Sequence, residues 1–420
     1  MKAGFSEIDI SPQPGTEKIG WLQPIKGTHI LDPLFARIAV FEEDGHKAAF
    51  IQLDTLCVGR TLTRRIREAI KESFGFPSEN IMISASHNHA GPAVSSFLPY
   101  QERDEAYIDG LITKCTEAFG SAFSSLQEAE GGFASVFNFE VAHNRRTRMR
   151  DGTVKTQTTS ANKNFLCLEG PRDPELAVFL VRDTKGKTLG ALLNYACHPT
   201  HHGGDDAFSA GFPGVLAAEL KKLGCPVALF LNGAFGNVIT VDFETGVSLS
   251  MEEAGQSLAK SFTEAQKNIS FSSKWPVNTH KNTLQLPFRR SSPAEEKGQV
   301  FGAQRFRSDD YYNTTIAHWK KEHAGETSCP AEIQVLGIGN IFFAGVPAEY
   351  FVEFQLKIKE SFPKIHALTV GAANGMLGYV PSKNAFTRGG YETTFLCSSC
   401  MAPETGDLIA DEIIRLIKKI

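Results

Sequence analysis

Two histidines separated by one residue carry the strongest chemical signal in this sequence. They lie in the segment Ser86-His87-Asn88-His89-Ala90-Gly91-Pro92, two residues after the apolar run Ile81-Met82-Ile83. If this run is a strand, alternate side chains share a face, so His87 and His89 project into the same volume. Neutral imidazoles that converge in this way suit a zinc ion.

A third histidine follows another apolar stretch. His198 ends the run from Leu189 to Cys197, and open α/β sheets place their sites at the carboxyl ends of strands. The three histidines therefore predict one shared metal site, and spacing alone would make His87 and His89 both ligands. His201 and His202 compete for the ligand role, although they lie in a loop that no strand fixes.

The elements around these histidines alternate between strands and helices. Strands are predicted at Arg37–Phe41, Ala48–Leu53 and Asn80–Ala85, with a helix between the last two in which Leu62, Ile66, Ile70 and Phe74 recur every fourth residue. A second unit repeats the pattern: a strand ending at His198, a helix Gly214–Lys222 and a strand Val227–Leu231. The sequence thus predicts an α/β fold with a mixed β-sheet core flanked by helices and a metal site at strand-end loops.

Further elements are indicated along the chain. Ser250-Met251-Glu252-Glu253 has the form of a capping box and opens an amphipathic helix. The strand Ile341–Ala344 runs into Val346-Pro347-Ala348-Glu349, where a proline in the first turn of a helix would place Glu349 just inside that helix. Asp54 ends a buried strand and would either orient a ligating histidine or cap the next helix.

Composition excludes several classes of function. The 420 residues are 42% hydrophobic and carry a formal net charge of −4 with no run of one sign, which argues against a nucleic-acid partner. No stretch is predicted to span a membrane and no secretory signal is evident, so we expect a cytoplasmic protein. The eight cysteines are predicted to be reduced, and the pair Cys397 and Cys400 to be ordinary thiols. We expect one domain over residues 1–420, with 268–308 as a peripheral insertion.

Five segments, taken in order, resemble the N-terminal catalytic domain of the neutral (alkaline, non-lysosomal) ceramidases. They are Gly4–Pro12, Ser86–Pro92, Asn194–His198, Val346–Glu349 and Asn374–Tyr379. Two positions depart from the family pattern. Met376 stands where the family has a tyrosine, and Asn237 replaces the aspartate of a Gly-x-x-Gly-Asp-Val loop.

The resemblance implies a set of site residues. Zinc would be held by His87, His198, Glu349 and Tyr379, whereas His89, Arg145 and Tyr391 would lie near the reacting carbonyl. Zinc lowers the pKa of a bound water, which then attacks an unactivated amide. The three other side chains would stabilise the oxyanion, and His89 would also protonate the leaving amine. Whether Arg145 or Arg146 faces the site stays open.

The predicted function is that of a zinc-dependent hydrolase that cleaves an N-acyl amide bond of a small-molecule or lipid-like substrate. A zinc lactonase or esterase acting on a small polar or carbohydrate-derived substrate is the first alternative. The second is a non-catalytic zinc-binding relative, for which Asn237 is the sequence hint. The family's C-terminal immunoglobulin-like domain is not expected here, and the arginines between Arg145 and Arg150 suit an anionic head group at least as well as ceramide. Oligomeric state and physiological substrate are left open by the sequence.

Overall fold

Two β-sheets face each other at the centre of the computed structural model, which describes residues 1–420. The eight main strands of the first sheet are β1 (Lys2–Asp9), β2 (Phe35–Glu43), β3 (His46–Leu53), β4 (Ile81–Ala85), β5 (Gln127–Phe137), β6 (Glu175–Asp183), β7 (Thr188–Tyr195) and β8 (Ala228–Asn232). Their spatial order is β8-β7-β6-β5-β1-β2-β3-β4. The pairs β3/β4 and β7/β8 are parallel and the other pairs antiparallel, so the sheet is mixed.

The second sheet has four strands in sequential order: β9 (Val277–Pro287), β10 (Ser328–Ile338), β11 (Ile341–Gly345) and β12 (His366–Val370). Only β11 and β12 pair in parallel. Thirteen short strands complete the β-structure: Glu17–Ile19, Ile25–Lys26, His29–Ile30, Gly91–Pro92, His143–Asn144, Arg146–Met149, Val154–Thr156, Phe165–Leu168, Ala207–Phe208, Val238–Ile239, Phe271–Ser272, Glu349–Tyr350 and Tyr379–Val380.

Nine helices lie among these strands. They are α1 (Arg60–Phe74), α2 (Glu105–Ser124), α3 (Gly211–Lys222), α4 (Met251–Gln266), α5 (Pro293–Glu296), α6 (Asp309–Glu322), α7 (Val352–Glu360), α8 (Lys383–Arg388) and α9 (Thr405–Ile417). The capping box that the sequence predicts at Ser250 is present at the start of α4. None of the helices is both long enough and apolar enough to cross a membrane.

The alternation of side chains along β2 explains the layered core. Ile38 and Val40 point to one face, where they pack with α1 and α2, whereas Ala39 and Phe41 point to the other. That second face packs on the second sheet, and the rings of Phe50 and Phe343 lie 5.0 Å apart across the interface. Helices α3 and α4 cover the rest of the first sheet, and α7 and α9 cover the second. The predicted mixed sheet flanked by helices is confirmed.

One predicted element is wrong. Glu349 is not inside a helix, because Glu349–Tyr350 forms a short strand and α7 begins only at Val352. The Glu349 N–H donates to the carbonyl of Gly378. Glu349 and Tyr350 pair in parallel with Tyr379 and Val380. Long-range pairing thus outweighs the local helix signal of Pro347. In the range 268–308, predicted as a peripheral insertion, residues 277–287 form the outer strand of the second sheet.

Candidate metal centre

The three strand-end histidines meet at one point. The Nε2 atom of His198 lies 3.0 Å from Nε2 of His87 and 3.0 Å from Nε2 of His89. Four ligands of a tetrahedral zinc ion, each about 2.05 Å from the metal, are about 3.3 Å from one another. The spacing of the imidazoles therefore matches that of ligands around a single ion.

Backbone carbonyls set the tautomer of each ring. Nδ1 of His87 lies 2.8 Å from the Leu56 oxygen, Nδ1 of His89 lies 2.6 Å from the Gly20 oxygen, and Nδ1 of His198 lies 3.3 Å from the Phe235 oxygen. A carbonyl only accepts, so each Nδ1 carries the proton and each Nε2 presents a lone pair. Three lone pairs that face one another cannot hydrogen-bond among themselves, whereas a cation bound among them offsets their mutual repulsion.

Glu349 adds a negative charge to this group. Its Oε2 atom is buried without a hydrogen-bond partner, 3.5 Å from His87 Nε2 and 3.6 Å from His198 Nε2. Glu349 and Tyr379 are directly paired in the short parallel strands, so the two side chains enter the site together. Imidazole nitrogens with a carboxylate oxygen are a donor set that zinc favours, and the residues present fit a divalent metal ion.

Burial keeps the imidazoles of His89 and His198 neutral. It lowers the pKa of His89 well below its ordinary value, and His87 and Arg145 lower it further. Burial is also the main reason why the pKa of His198 is low, with Arg145 as the next cause. A neutral ring keeps its Nε2 lone pair available to a metal.

Strained backbone positions the His87 ring. His87 lies two residues beyond the end of β4 and adopts φ of +66°, a left-handed conformation that non-glycine residues rarely take and that often marks functional sites. Gly20, with φ of +129°, brings its carbonyl to His89, and a Cβ at Gly20 would lie only 2.9 Å from the His89 Cα. Only glycine allows this approach. His198 lies three residues beyond the end of β7, and its N–H donates to the carbonyl of Val238, which ties it to the short strand Val238–Ile239.

The two candidate arginines have different surroundings. Arg145 is buried, its guanidinium lies 5.4 Å from the centre of the Tyr379 ring, and its Nη2 has no hydrogen-bond partner. Arg146 is buried against Phe351 and pairs with Glu169. The structure therefore brings Arg145 to the metal centre and turns Arg146 away from it.

Sequence analysis missed Glu392, a fully buried carboxylate that holds both arginines. Its Oε1 accepts from Arg145 Nε at 2.9 Å, and its Oε2 accepts from Arg146 Nη1 at 2.8 Å and from the Thr156 hydroxyl at 2.7 Å. Burial raises the pKa of Glu392, but Arg145 and Arg146 outweigh this and hold it below the ordinary value. The only sequence signal is its position directly after Gly389-Gly390-Tyr391.

Three other residues singled out in the sequence lie outside the metal group. His201 Nε2 lies 3.0 Å from the Leu249 carbonyl, and His202 Nδ1 lies 2.7 Å from Asp205. Asp54 neither orients a histidine nor caps α1. It accepts from Arg37 Nη1 at 2.8 Å, because that buried guanidinium needs a counter-charge.

Asn237, where the family has an aspartate, makes two hydrogen bonds that fit an amide. Its Oδ1 accepts from the Val352 N–H at 2.9 Å, and its Nδ2 donates to Glu353 Oε2 at 2.8 Å. An aspartate could make only the first of these. The replacement is explained by the neighbouring carboxylate and does not remove a group from the metal centre.

A cavity of about 510 Å³ opens onto the metal centre. Its wall includes His87, His89, Glu349, Tyr379 and Tyr391. More than half of the lining residues are hydrophobic, among them Phe97, Leu98, Phe288, Trp319, Leu377 and Met401. Arg145 does not line the cavity. Pockets of this size and character accept small-molecule ligands.

Comparison with known proteins finds relatives in the family that the motifs resemble. No protein-family model matches the chain. Neutral ceramidase B of Dictyostelium discoideum is 21% identical over 196 residues, which are 43% of this chain and 26% of that protein. Neutral ceramidase A of the same organism is 21% identical over 214 residues, 47% of this chain and 28% of that protein. The match thus spans just over a quarter of each relative's length.

Solved structures cover almost the whole chain. Neutral ceramidase from Pseudomonas aeruginosa superimposes with a TM-score of 0.76 at 17% identity, over 99% of this chain and 73% of that one. A ceramidase complexed with C2 gives a TM-score of 0.77 at 16% identity, over 99% and 74% of the two chains. The fold of this protein is that of the neutral ceramidases, and the resemblance that its motifs predict is confirmed.

Proposed function

We propose that this chain is a zinc-dependent hydrolase that cleaves an N-acyl amide bond. The observation that carries the proposal is the convergence of the Nε2 lone pairs of His87 and His198 with the unpartnered Oε2 of Glu349 at the wall of a substrate-sized cavity. The names of the relatives, all ceramidases, support an amide substrate.

The proposed ligands are His87, His198, Glu349 and Tyr379. The first three have donor atoms within 3.6 Å of one another, and strand pairing places the fourth beside Glu349. When bound, zinc supplies Lewis-acid activation of water and of the scissile carbonyl. Burial raises the pKa of Tyr379 well above the ordinary value, although Arg145 opposes the effect. Tyr379 would therefore act as a ligand only where the charge of a bound cation helps its hydroxyl to lose the proton.

His89 is proposed to move the proton. Its Nδ1–H is fixed on the Gly20 carbonyl, so its Nε2 accepts a proton from the attacking water. As the C–O bond forms and the C–N bond breaks, the same Nε2 passes the proton to the leaving nitrogen. His89 lines the cavity, where it is accessible to the substrate.

Tyr391 and Arg145 are proposed to stabilise the oxyanion in different ways. Tyr391 lines the cavity, and burial holds its pKa well above the ordinary value, so its hydroxyl stays protonated and donates. Arg145 lies behind the wall and acts through its charge. Fixed donors and charges of this kind, removed from water, contribute strongly to amide hydrolysis.

Metal analysis of the purified protein tests the site. We expect about one zinc per chain in the parent and less than a tenth of that in His87→Ala, since a missing ligand leaves the ion weakly held. His202→Ala is the matched control, because His202 is a partly exposed histidine paired with Asp205 away from the centre. Parent protein without stoichiometric metal would overturn the proposal.

Hydrolysis assays test the reaction. Rates of hydrolysis should be compared at equal concentration for short N-acyl amides, long-chain ceramides, esters and lactones. Each substrate is tested with the untreated protein, after addition of a chelator, and after zinc is added back. We expect amide cleavage that the chelator abolishes and zinc restores. Cleavage of esters or lactones with none of amides would contradict the assigned bond class.

A further inference from the structure

One arginine on the wall of the cavity has no counter-charge. Arg60 is the first residue of α1, is exposed and lines the cavity. The other arginines of this helix are all paired with acids: Arg64 with Glu68 at 3.0 Å, Arg65 with Glu105 at 3.7 Å and Arg67 with Glu332 at 2.9 Å. Arg60 makes no ion pair.

The wall of the cavity does not neutralise Arg60 either. Only two carboxylates line the cavity, Glu322 and Glu349. Glu322 lies 3.3 Å from His318 Nε2, and Glu349 faces the metal centre. Neither carboxylate forms an ion pair with Arg60, so its guanidinium is the unpaired positive charge of a largely apolar wall.

The aliphatic part of the Arg60 side chain holds this residue beside the segment that leads to the metal centre. A Cβ on Gly375 would lie 3.3 Å from Arg60 Cγ, which shows that the aliphatic part of Arg60 packs against the backbone of the 374–378 segment. This segment leads directly into Tyr379. The stem is held while the charged head stays free to reach into the cavity.

We propose that Arg60 is a specificity-determining residue and that the substrate is an amide bearing a carboxylate. The inference rests on the proposed function and deepens it. A guanidinium binds a carboxylate through two parallel charge-assisted hydrogen bonds, which fix the orientation of the carboxylate. The carboxylate belongs either to the amine part, as in an N-acyl amino acid, or to the far end of the acyl part, as in a dicarboxylic acid monoamide.

Three substrates of similar size separate these sources. N-octanoylglycine carries the carboxylate on the amine part, the octanedioic acid monoamide of glycinamide carries it on the acyl part, and N-octanoylglycinamide is neutral. We expect the parent to prefer one carboxylate substrate over the neutral one by about 10- to 100-fold in kcat/KM, the worth of a hydrogen-bonded ion pair. The difference should lie mainly in KM, because Arg60 binds ground state and transition state alike.

Variants at two arginines of α1 test the assignment. Arg60→Gln should bring the ratio of kcat/KM between the carboxylate and neutral substrates close to one. Arg60→Lys keeps the charge but lacks the two parallel N–H donors of a guanidinium, so it should retain part of the preference. Arg64→Gln is the matched control, since Arg64 is an exposed arginine of the same helix that pairs with Glu68 outside the cavity. An unchanged ratio in Arg60→Gln, or equal rates for all three substrates in the parent, would overturn the inference.

Binding measurements keep the inference separate from the proposed function. If the parent cleaves no amide, calorimetric titration with N-octanoylglycine and with the octanedioic acid monoamide still reports on Arg60. Binding to the parent at least about tenfold tighter than to Arg60→Gln would support the carboxylate site while the hydrolase proposal fails. Equal binding to both proteins would overturn the carboxylate site.

Discussion

Replacing Glu392 by glutamine should destabilise the protein more than any other single loss of charge near the centre. Glu392 is fully buried and is the only acid paired with Arg145, whereas Arg146 has a second partner in Glu169. Glutamine has the same shape but turns an N–H toward one of the two guanidinium groups. Arg145 would then be a buried cation without a counter-ion.

The expected magnitude follows from these contacts. Removing one partner of a buried ion pair costs about 3–5 kcal/mol, since the remaining charge stays out of water. We expect a loss of that size in the free energy of unfolding of Glu392→Gln, measured by urea denaturation at pH 7. Domains are stable by only about 5–15 kcal/mol, so the midpoint of the transition should move strongly.

Glu169→Gln is the control for this prediction. This substitution also removes a carboxylate from Arg146, but Arg146 keeps its ion pair with Glu392. The second arginine that pairs with Glu169 is Arg388, which is partly exposed. We expect a smaller loss, of about 1.5–3 kcal/mol, typical of a hydrogen bond to a charged group. Equal losses in the two variants, within about 0.5 kcal/mol, would refute the idea that Glu392 alone neutralises Arg145.

Three further outcomes are expected. His89→Ala should keep at least half of the parent's zinc but lose at least about 100-fold in kcat for amides, the usual worth of a general acid–base group; loss of zinc to the level of His87→Ala would show that His89 is a ligand. The pKa of Glu392 is lower in the folded than in the unfolded state, so its contribution is present at neutral pH and lost as the pH falls through the lowered value. The stability difference between parent and Glu392→Gln should therefore shrink below pH ~4, and a constant difference in urea titrations down to pH ~2 would contradict this. Asn237→Asp should place a second carboxylate against Glu353, whose pKa burial already raises, and lower the thermal midpoint by a few degrees while zinc content stays unchanged; a rise in midpoint would speak against the repulsion.

Local periodicity was sufficient to predict most of the elements that deliver the histidines. The four-residue repeat of Leu62, Ile66 and Ile70 forms the buried face of α1, and the apolar run before His87 is strand β4. These patterns are set by burial of one face of α1 and of both faces of β4, which a single segment of sequence records. The apolar run before His198 is predicted for the same reason, although β7 ends three residues before the histidine, at Tyr195.

Features that depend on pairing across the chain were not predictable in this way. The helix expected at Glu349 is a strand because Gly378 and Tyr379 lie beside it, and nothing near Pro347 in sequence signals that partner. Glu392 is a similar case, since it is 247 residues from Arg145 in the chain. Its role depends on which guanidinium groups are buried away from water in the folded protein.

The orientation of the imidazoles shows how such pairings produce the site. Each Nδ1–H is held by a main-chain carbonyl, from Leu56, Gly20 or Phe235, and not by a carboxylate. A carboxylate beside a ligating histidine would add negative charge to the centre and raise the basicity of the ring. Neutral carbonyls fix the same tautomer without that charge, so Glu349 is the one carboxylate that faces the imidazoles. A centre with fewer negative charges would leave a bound metal a stronger Lewis acid, which is the property that the proposed amide hydrolysis requires.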